Sequence, residues 1–376
     1  MNSPSALAPS APASESSEGL SRRGRAFVLL VEKERIFLAL IATALIATGL
    51  VYPHAELARW FGFALAGYSA VANDSVQTLG TFIASNRKQP WWLQWLFMGG
   101  IFLATAIYSW FAYDGDVSYA RLASKGFETT PVAFTYLQVA APIVLLLLTR
   151  AGIPVSTTFL LLSCFATEVS SVVSIATKSF AGYGVAFACA FGVWFVVSKA
   201  LRRWEESGPA HPAWTVAQWF TTGLLWMTWL MQDAANVAVY LPRSLSVVEL
   251  GAFLAVMFLG LGLLFKLGGE RVQKVVDEKS RVVDVRAATV IDLIYSVILY
   301  VFKTYSTVPM STTWVFVGLL AGREIAMAIQ RTNEGGFRTA FRMAGKDLLY
   351  VTIGLLVSMG LAFASNEAFV SDLLGR

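Results

Sequence analysis

Apolar segments of about 20 residues follow one another through most of this 376-residue chain. Each segment is long enough to cross a hydrocarbon layer about 30 Å thick. No water reaches the backbone in that layer, so a crossing segment must satisfy its own N–H and C=O groups, as a helix does. Hydrophobic residues make up 56% of the sequence and charged residues 14%, against roughly a quarter charged in soluble domains. The sequence therefore predicts an all-α polytopic membrane protein.

Eleven segments have the length and composition of a transmembrane span. They are residues 35–53, 57–84, 91–113, 131–149, 153–176, 180–199, 213–239, 246–266, 287–306, 309–329 and 347–365. With the N-terminus in the cytoplasm, 22 of the 29 Lys and Arg residues flank the spans on the cytoplasmic side, and seven lie outside. This bias follows the positive-inside rule. It predicts a multi-pass protein of the plasma or inner membrane with a cytoplasmic N-terminus.

The remaining sequence leaves little room for a soluble function. Residues 1–20 are rich in Ser, Ala and Pro and predict a disordered N-terminal tail. No nucleophile–base pair, metal-ligand cluster or nucleotide loop is found, which argues against an enzyme and against an organic cofactor. The membrane flanks account for the net charge of +5, so a nucleic-acid partner is not expected. The lipid bilayer is the expected environment, and the sequence leaves open whether the protein forms a homodimer.

A Pro-x-Ser-Thr-Thr string occurs twice, at Pro154–Thr158 and, 155 residues later, at Pro309–Thr313. Each copy opens an apolar segment, the order expected at a helix N-terminus, where hydroxyls cap free N–H groups. Such an end also favours an anion, and two of them suggest one shared anion. Ordinary capping and helix contact is the alternative interpretation. The residues predicted to bind the anion are Ser156, Thr157, Thr158, Ser311, Thr312 and Thr313.

An amide–acid–amide pattern also occurs twice, in the second and seventh spans. Its members are Asn73, Asp74 and Gln77, then Gln232, Asp233 and Asn236. The acids are 159 residues apart, nearly the spacing of the Ser-Thr-Thr strings, which indicates a duplication. An odd number of crossings separates the copies, so they should have opposite orientations, as in the inverted repeats of secondary transporters. We expect repeats at 35–200 and 213–365, with broken helices or hairpins at the membrane midplane.

The acids inside the spans point to ion binding. A bare carboxylate in apolar surroundings needs a cation, a proton or a hydrogen-bond donor. Carboxylate and amide oxygens suit Na⁺, whereas a carboxyl that takes up a proton would suit H⁺. Asp74 and Asp233 are therefore predicted to bind the coupling ion with the four amides, and packing of neutral acids is the alternative. For Glu168 and Asp292, a coupling role and a structural hydrogen bond are equally open. Lys178 and Lys303 are expected to snorkel from the outer ends of spans, and steering of an anion is the alternative.

The four strings together resemble the signature of the inorganic phosphate transporter (PiT) family. That signature is a duplicated GANDVAN-like motif, followed in each half by a PVSTTH-like motif. Ala72–Asp74 and Gln232–Asn236 occupy the places of the acidic motifs, and the Pro-x-Ser-Thr-Thr strings follow at the right distance. Gly260–Val272 is also similar to the family's glycine-spaced helix that ends in a basic turn. The resemblance covers most of the chain.

The chain also departs from the family pattern, most clearly where the histidine that closes each PVSTTH is replaced by Phe159 and Trp314. It therefore resembles a divergent member. The resemblance implies a symporter that imports phosphate with Na⁺ or H⁺ by alternating access. The open alternatives are a carrier of another oxyanion such as sulfate, and a non-transporting membrane receptor or scaffold that keeps the fold.

Overall fold

The structure is a computed structural model that describes residues 22–86, 88–267, 284–333 and 335–375. These residues form helices and loops without a strand, so the all-α prediction is confirmed for them. The predicted tail at residues 1–20 and the end of the glycine-spaced segment at Gly268–Val272 lie outside the described residues. By its internal contacts the chain divides into one unit that ends at Ala47, within the first helix, and a second from Thr48 onward.

Thirteen α-helices and one 3₁₀ turn are formed by the described residues. In chain order they are α1 (Arg22–Val51), α2 (Ala55–Thr78), α3 (Gly80–Ser85), α4 (Trp91–Ala112), α5 (Tyr136–Arg150), α6 (Thr157–Leu161), the 3₁₀ turn (Leu162–Phe165), α7 (Val169–Glu206), α8 (Pro212–Ala238), α9 (Val247–Leu267), α10 (Val285–Tyr305), α11 (Thr312–Ile329), α12 (Gly336–Ser365) and α13 (Glu367–Leu373).

Seven of these helices are long and apolar enough to cross a membrane, namely α1, α4, α7, α9, α10, α11 and α12. Large apolar side chains cover outward-facing surfaces, as at Phe111, Phe220 and Leu259, which are 73%, 71% and 64% exposed. In water such surfaces would drive association, but hydrocarbon solvates them. The chain is a multi-pass membrane protein.

The two Pro-x-Ser-Thr-Thr strings lie in two turns that touch each other. The first turn joins α5 to α6, and the second joins α10 to α11. The Thr158 hydroxyl donates to the carbonyl of Met310 at 3.3 Å, and the Thr313 hydroxyl donates to the carbonyl of Val155 at 3.3 Å. Full crossings by every span would place the turns at opposite membrane surfaces. We therefore describe α5–α6 and α10–α11 as two hairpins whose tips meet inside the protein.

Two further span boundaries differ from the prediction. The break expected between spans 153–176 and 180–199 is wrong, because α7 runs without interruption from Val169 to Glu206. Lys178 suggested a loop there, but its ammonium group binds carbonyls inside the protein. The span predicted at 57–84 is instead broken at Leu79, between α2 and α3. The predicted count of eleven spans is therefore not confirmed.

Helix α11 packs unusually closely against α7 through Gly318 and Gly322. A Cβ atom at Gly318 would lie 2.4 Å from the carbonyl oxygen of Tyr183, and one at Gly322 would lie 2.2 Å from that of Phe187. Small residues four apart let two membrane helices bring their backbones together. This contact fixes the second hairpin on the long helix.

Gly322→Ala should destabilise the protein by about 1–3 kcal/mol, because the added methyl group meets backbone that has no rotamer to change. Gly192→Ala is the matched control, since a Cβ at Gly192 of α7 has no neighbour within 4 Å. The measurement is the thermal unfolding of both variants in detergent. Equal melting temperatures would contradict the close contact.

Candidate functional site

The site is built around two buried carboxylates. Asp74 lies near the end of α2 and Asp233 near the end of α8, and their side chains are 0% and 1% exposed. Neither forms a salt bridge within the part of the chain that the structure describes. A carboxylate removed from water needs compensation by donors or by a cation. Neutral side chains provide the donors in both cases.

Asp74 is held by three such side chains. The Thr157 hydroxyl donates to its Oδ2 at 3.0 Å, while Asn73 donates to its Oδ1 at 2.8 Å and Gln77 donates to the same oxygen at 3.4 Å. The second carboxylate has a similar set of partners. Its Oδ2 accepts from Thr312 at 2.5 Å, and its Oδ1 accepts from Thr158 at 3.2 Å and from Asn236 at 2.8 Å.

The contacts of one hairpin recur in the other, 155 residues later. The first Thr of each string binds the acid of its own half, as Thr157 binds Asp74 and Thr312 binds Asp233. The second Thr contacts an amide of the opposite half. Asn236 donates to the Thr158 hydroxyl at 3.2 Å, and Gln77 donates to the Thr313 hydroxyl at 3.1 Å. The second Thr therefore connects each hairpin tip to the opposite half of the chain.

The serines of the two strings do something different from the threonines. The Ser156 hydroxyl accepts from the backbone N–H of Phe159 at 3.1 Å, and the Ser311 hydroxyl accepts from that of Trp314 at 3.4 Å. Both are N-caps, which satisfy a donor that the first helical turn leaves open. The predicted capping is observed, and contact of the six hydroxyl residues with an anion stays a prediction.

Three amide oxygens of the site are buried and accept no hydrogen bond from the described residues, namely Gln77 Oε1, Gln232 Oε1 and Asn236 Oδ1. An orphaned acceptor in a dry interior is costly. Oxygens of this kind beside two carboxylates match the ligand preference of a hard cation. The residue set therefore fits Na⁺, which Asp74 and Asp233 would bind with these amides. The Gln232 amide nitrogen itself is fixed by the carbonyl of Leu299 at 2.9 Å.

The other two acids lie apart from this cluster. Glu168 was predicted inside a span, but it precedes α7 in a partly exposed loop and pairs with Lys125 at 2.7 Å. That hydrogen bond lowers the pKa of Glu168 and keeps it charged. Asp292 of α10 is 1% exposed, and its carboxylate accepts from Thr81 at 2.9 Å and from Thr222. It thus connects α10 with α3 and α8.

Two cations near the site were not predicted as part of it. Arg121 lies in the loop after α4, is 1% exposed and donates to the carbonyls of Met231, Ser306 and Val308. The Lys178 ammonium donates to Ser306 and Val308 as well. The snorkelling expected for Lys178 is therefore wrong. The sequence on both sides of Lys178 is largely apolar, and this was the signal for an internal position. No comparable signal marks Arg121.

Aromatic residues stand at the two positions where the family signature has histidine. Aromatic rings also lie beside Lys303. Phe159 is fully buried, and the Trp314 ring lies 4.8 Å from the ring of Phe180 on α7. The Lys303 ammonium lies 3.3 Å from the Tyr113 hydroxyl and 5.4 Å from the centre of the Tyr119 ring, and its snorkelling stays a prediction.

Comparison with known proteins reveals a similarity of fold. No protein-family model matches the chain, and no curated protein matches it in sequence. Among solved structures it is similar to "The sodium-dependent phosphate transporter", with a TM-score of 0.54 and 17% identity over 88% of this chain and 98% of that chain. At this identity the likeness concerns the fold. The fold implied by the motif resemblance is therefore confirmed.

Thr157→Val and Thr312→Val should each destabilise the protein by about 1–3 kcal/mol, because a buried acid loses a hydroxyl donor without a change of side-chain shape. Thr177→Val is the control, since the Thr177 hydroxyl is exposed and bonds only the carbonyl of Val173. Chemical or thermal unfolding in detergent compares the three. A loss no larger than that of the control would mean that these bonds do not stabilise the acids.

Proposed function

We propose that the chain is a secondary active transporter that imports inorganic phosphate, or a related tetrahedral oxyanion, together with Na⁺ or H⁺. The observation that carries the proposal is the pair of buried acids whose hydroxyl donors come from two hairpin tips. Its fold, which resembles that of a sodium-dependent phosphate transporter, supports the same function. A receptor or scaffold would have no use for two costly acids in an apolar interior.

The cation is assigned to Asp74 and Asp233. An ionised carboxylate that only neutral groups stabilise is costly in a medium of low polarity, so binding of a neutralising cation is strongly favoured there. The amides assigned to assist are Asn73, Gln77, Gln232 and Asn236. Protonation is the alternative way to neutralise the acids, because each threonine hydroxyl can also accept a hydrogen bond. Glu168 is partly exposed and ion-paired, which favours the structural role for it. Asp292 is kept as a further candidate for proton or cation binding.

The oxyanion is assigned to the hydroxyls and N–H groups at the two hairpin tips. In the present conformation the four threonine hydroxyls donate to the acids or to backbone carbonyls. A cation at the acids would reduce their demand for these donors. The hydroxyls could then turn towards an anion, since a hydroxyl rotates to suit its partner. Cation binding would in this way prepare the anion site, which is the basis of coupled transport.

Alternating access fits the arrangement of the halves. We infer inverted repeats at 35–200 and 213–365 from the pattern of contacts that recurs 155 residues apart. Substrate sites of such transporters lie where the repeats meet and helices are interrupted. The tips of the hairpins lie at such a place, and each tip contacts residues of the opposite half. The N-terminus is assigned to the cytoplasmic side of a plasma or inner membrane on the charge bias of the sequence.

Selectivity should be broader than the family signature implies. Phe159 and Trp314 replace two histidines, and phenylalanine has no donor while tryptophan has one. Sulfate is therefore the competing substrate to test beside phosphate.

Uptake of labelled phosphate and sulfate into proteoliposomes, driven by a Na⁺ or pH gradient, tests the transport proposal. We expect one gradient to drive uptake, and we expect Asp74→Asn and Asp233→Asn to reduce it about tenfold or more, because an amide cannot neutralise a cation. Asp114→Asn is the control, since Asp114 lies in the outer loop with φ of 51°, a conformation that asparagine tolerates. If a folded parent moves neither anion under either gradient, the receptor or scaffold alternative is preferred.

The coupling ion should also stabilise the protein directly. If it is Na⁺, adding it at about 100 times its Kd should stabilise the parent by about 2.7 kcal/mol, because it binds only the folded chain. Choline at the same ionic strength is the control. Asp233→Asn should abolish the Na⁺ effect, and a Na⁺ shift that persists in this variant would place the ion elsewhere.

A further inference from the structure

Arg121 and Lys178 reach the same turn from two different parts of the chain. Arg121 comes from the loop between α4 and α5, and Lys178 comes from the first third of α7. Both side chains donate to the same two carbonyls, those of Ser306 and Val308, at the tip of the second hairpin. Two positive charges therefore lie within a few ångströms of each other, bridged only by neutral oxygens.

Neither cation has an acidic partner in the described part of the chain. Among the described residues, no salt bridge or carboxylate hydrogen bond involves them, although the charge of Asp233 lies close enough to influence Arg121. Arg121 is 1% exposed, and its Nη2 is buried without a hydrogen-bond partner from the part of the chain that the structure describes. Buried charges are normally paired. An unpartnered guanidinium nitrogen beside a second cation therefore has the chemistry of an anion-binding site.

The chemistry of the pair selects the class of anion. A guanidinium group offers parallel N–H donors that match two oxygens of a phosphate or sulfate, and an ammonium group adds a compact positive charge. Two cations suit a doubly charged tetrahedral oxyanion better than a halide or a monocarboxylate. The site is also close to the acid pair, because Arg121 Nε donates at 3.3 Å to Met231, two residues before Asp233.

We propose that Arg121 and Lys178 form a binding site for the tetrahedral oxyanion, beside the tip of the second hairpin. The inference rests on the proposed transport of such an anion and adds two residues to its binding site. In the present conformation the carbonyls of Ser306 and Val308 occupy both cations. An arriving oxyanion takes their place and frees the tip of the hairpin. Anion binding and movement of the second hairpin are thereby linked.

The test is equilibrium binding of labelled inorganic phosphate and sulfate to the purified full-length protein. Arg121→Gln and Lys178→Met should each weaken binding about tenfold or more, since each removes a charge-assisted hydrogen bond. Lys178→Arg keeps the charge and should bind within about threefold of the parent. Arg243→Gln is the matched control, because Arg243 is also an outer-loop arginine that donates to backbone carbonyls, those of Phe127, Thr129, Val239 and Leu241.

The outcomes separate this inference from the transport proposal. If the parent binds phosphate and the two charge-removing variants bind it equally well, the inference is wrong and the transport proposal stands. If Arg243→Gln weakens binding as much as Arg121→Gln does, the effect is a general loss of loop structure and the inference is also wrong. If the parent binds neither anion, both proposals fail. Should Arg121→Gln not fold, Lys178→Met against Lys178→Arg decides the question.

Discussion

The need to stabilise two carboxylates in an apolar interior explains why the hairpins exist. The hydroxyl of a threonine within a membrane helix usually donates a hydrogen bond to the carbonyl four residues earlier, as those of Thr177 and Thr352 do here. A threonine in the first turn of a helix has no such carbonyl available. Thr157 and Thr312 begin α6 and α11, and both donate to an acid instead. The interrupted helices thus bring two first-turn hydroxyl donors to the buried acids.

The same requirement ties the two halves of the chain together. Asp233 accepts hydrogen bonds from Thr312 of its own half and from Thr158 of the other. Asp74 takes its three donors from its own half, whereas the donor set of Asp233 is complete only when both hairpin tips are in place. A displacement of one tip would leave a buried carboxylate short of donors, at a cost of about 1–3 kcal/mol for each lost partner. The positions of the tips and the charge state of the acids are therefore interdependent.

The order of the motifs was enough to predict which residues meet. Asp74, Asp233 and the two Ser-Thr-Thr strings were identified from their spacing, and the fold that their order implied is the one observed. The contacts that cross between the halves could not be predicted, because spacing along the chain contains no information on which tip faces which acid. Arg121 was missed for the same reason. The lengths of the apolar segments also led to wrong span boundaries, because a hairpin and a full crossing have similar composition. In addition, Lys178 looked like the end of a span.

The balance of charge at this site gives a physical reason for coupling. When Asp74 and Asp233 are ionised and Arg121 and Lys178 are protonated, their charges balance, so the bare site is nearly neutral. A cation at the acids alone, or an oxyanion at the bases alone, would leave an excess charge away from water. Two unit charges about 8 Å apart interact by about 2 kcal/mol at an effective dielectric constant of 20. With both proposals combined, each ion lowers the cost of binding the other by an amount of that order, and linkage requires the effect to be reciprocal. Symport would then follow from electrostatics, before any large movement of the hairpins.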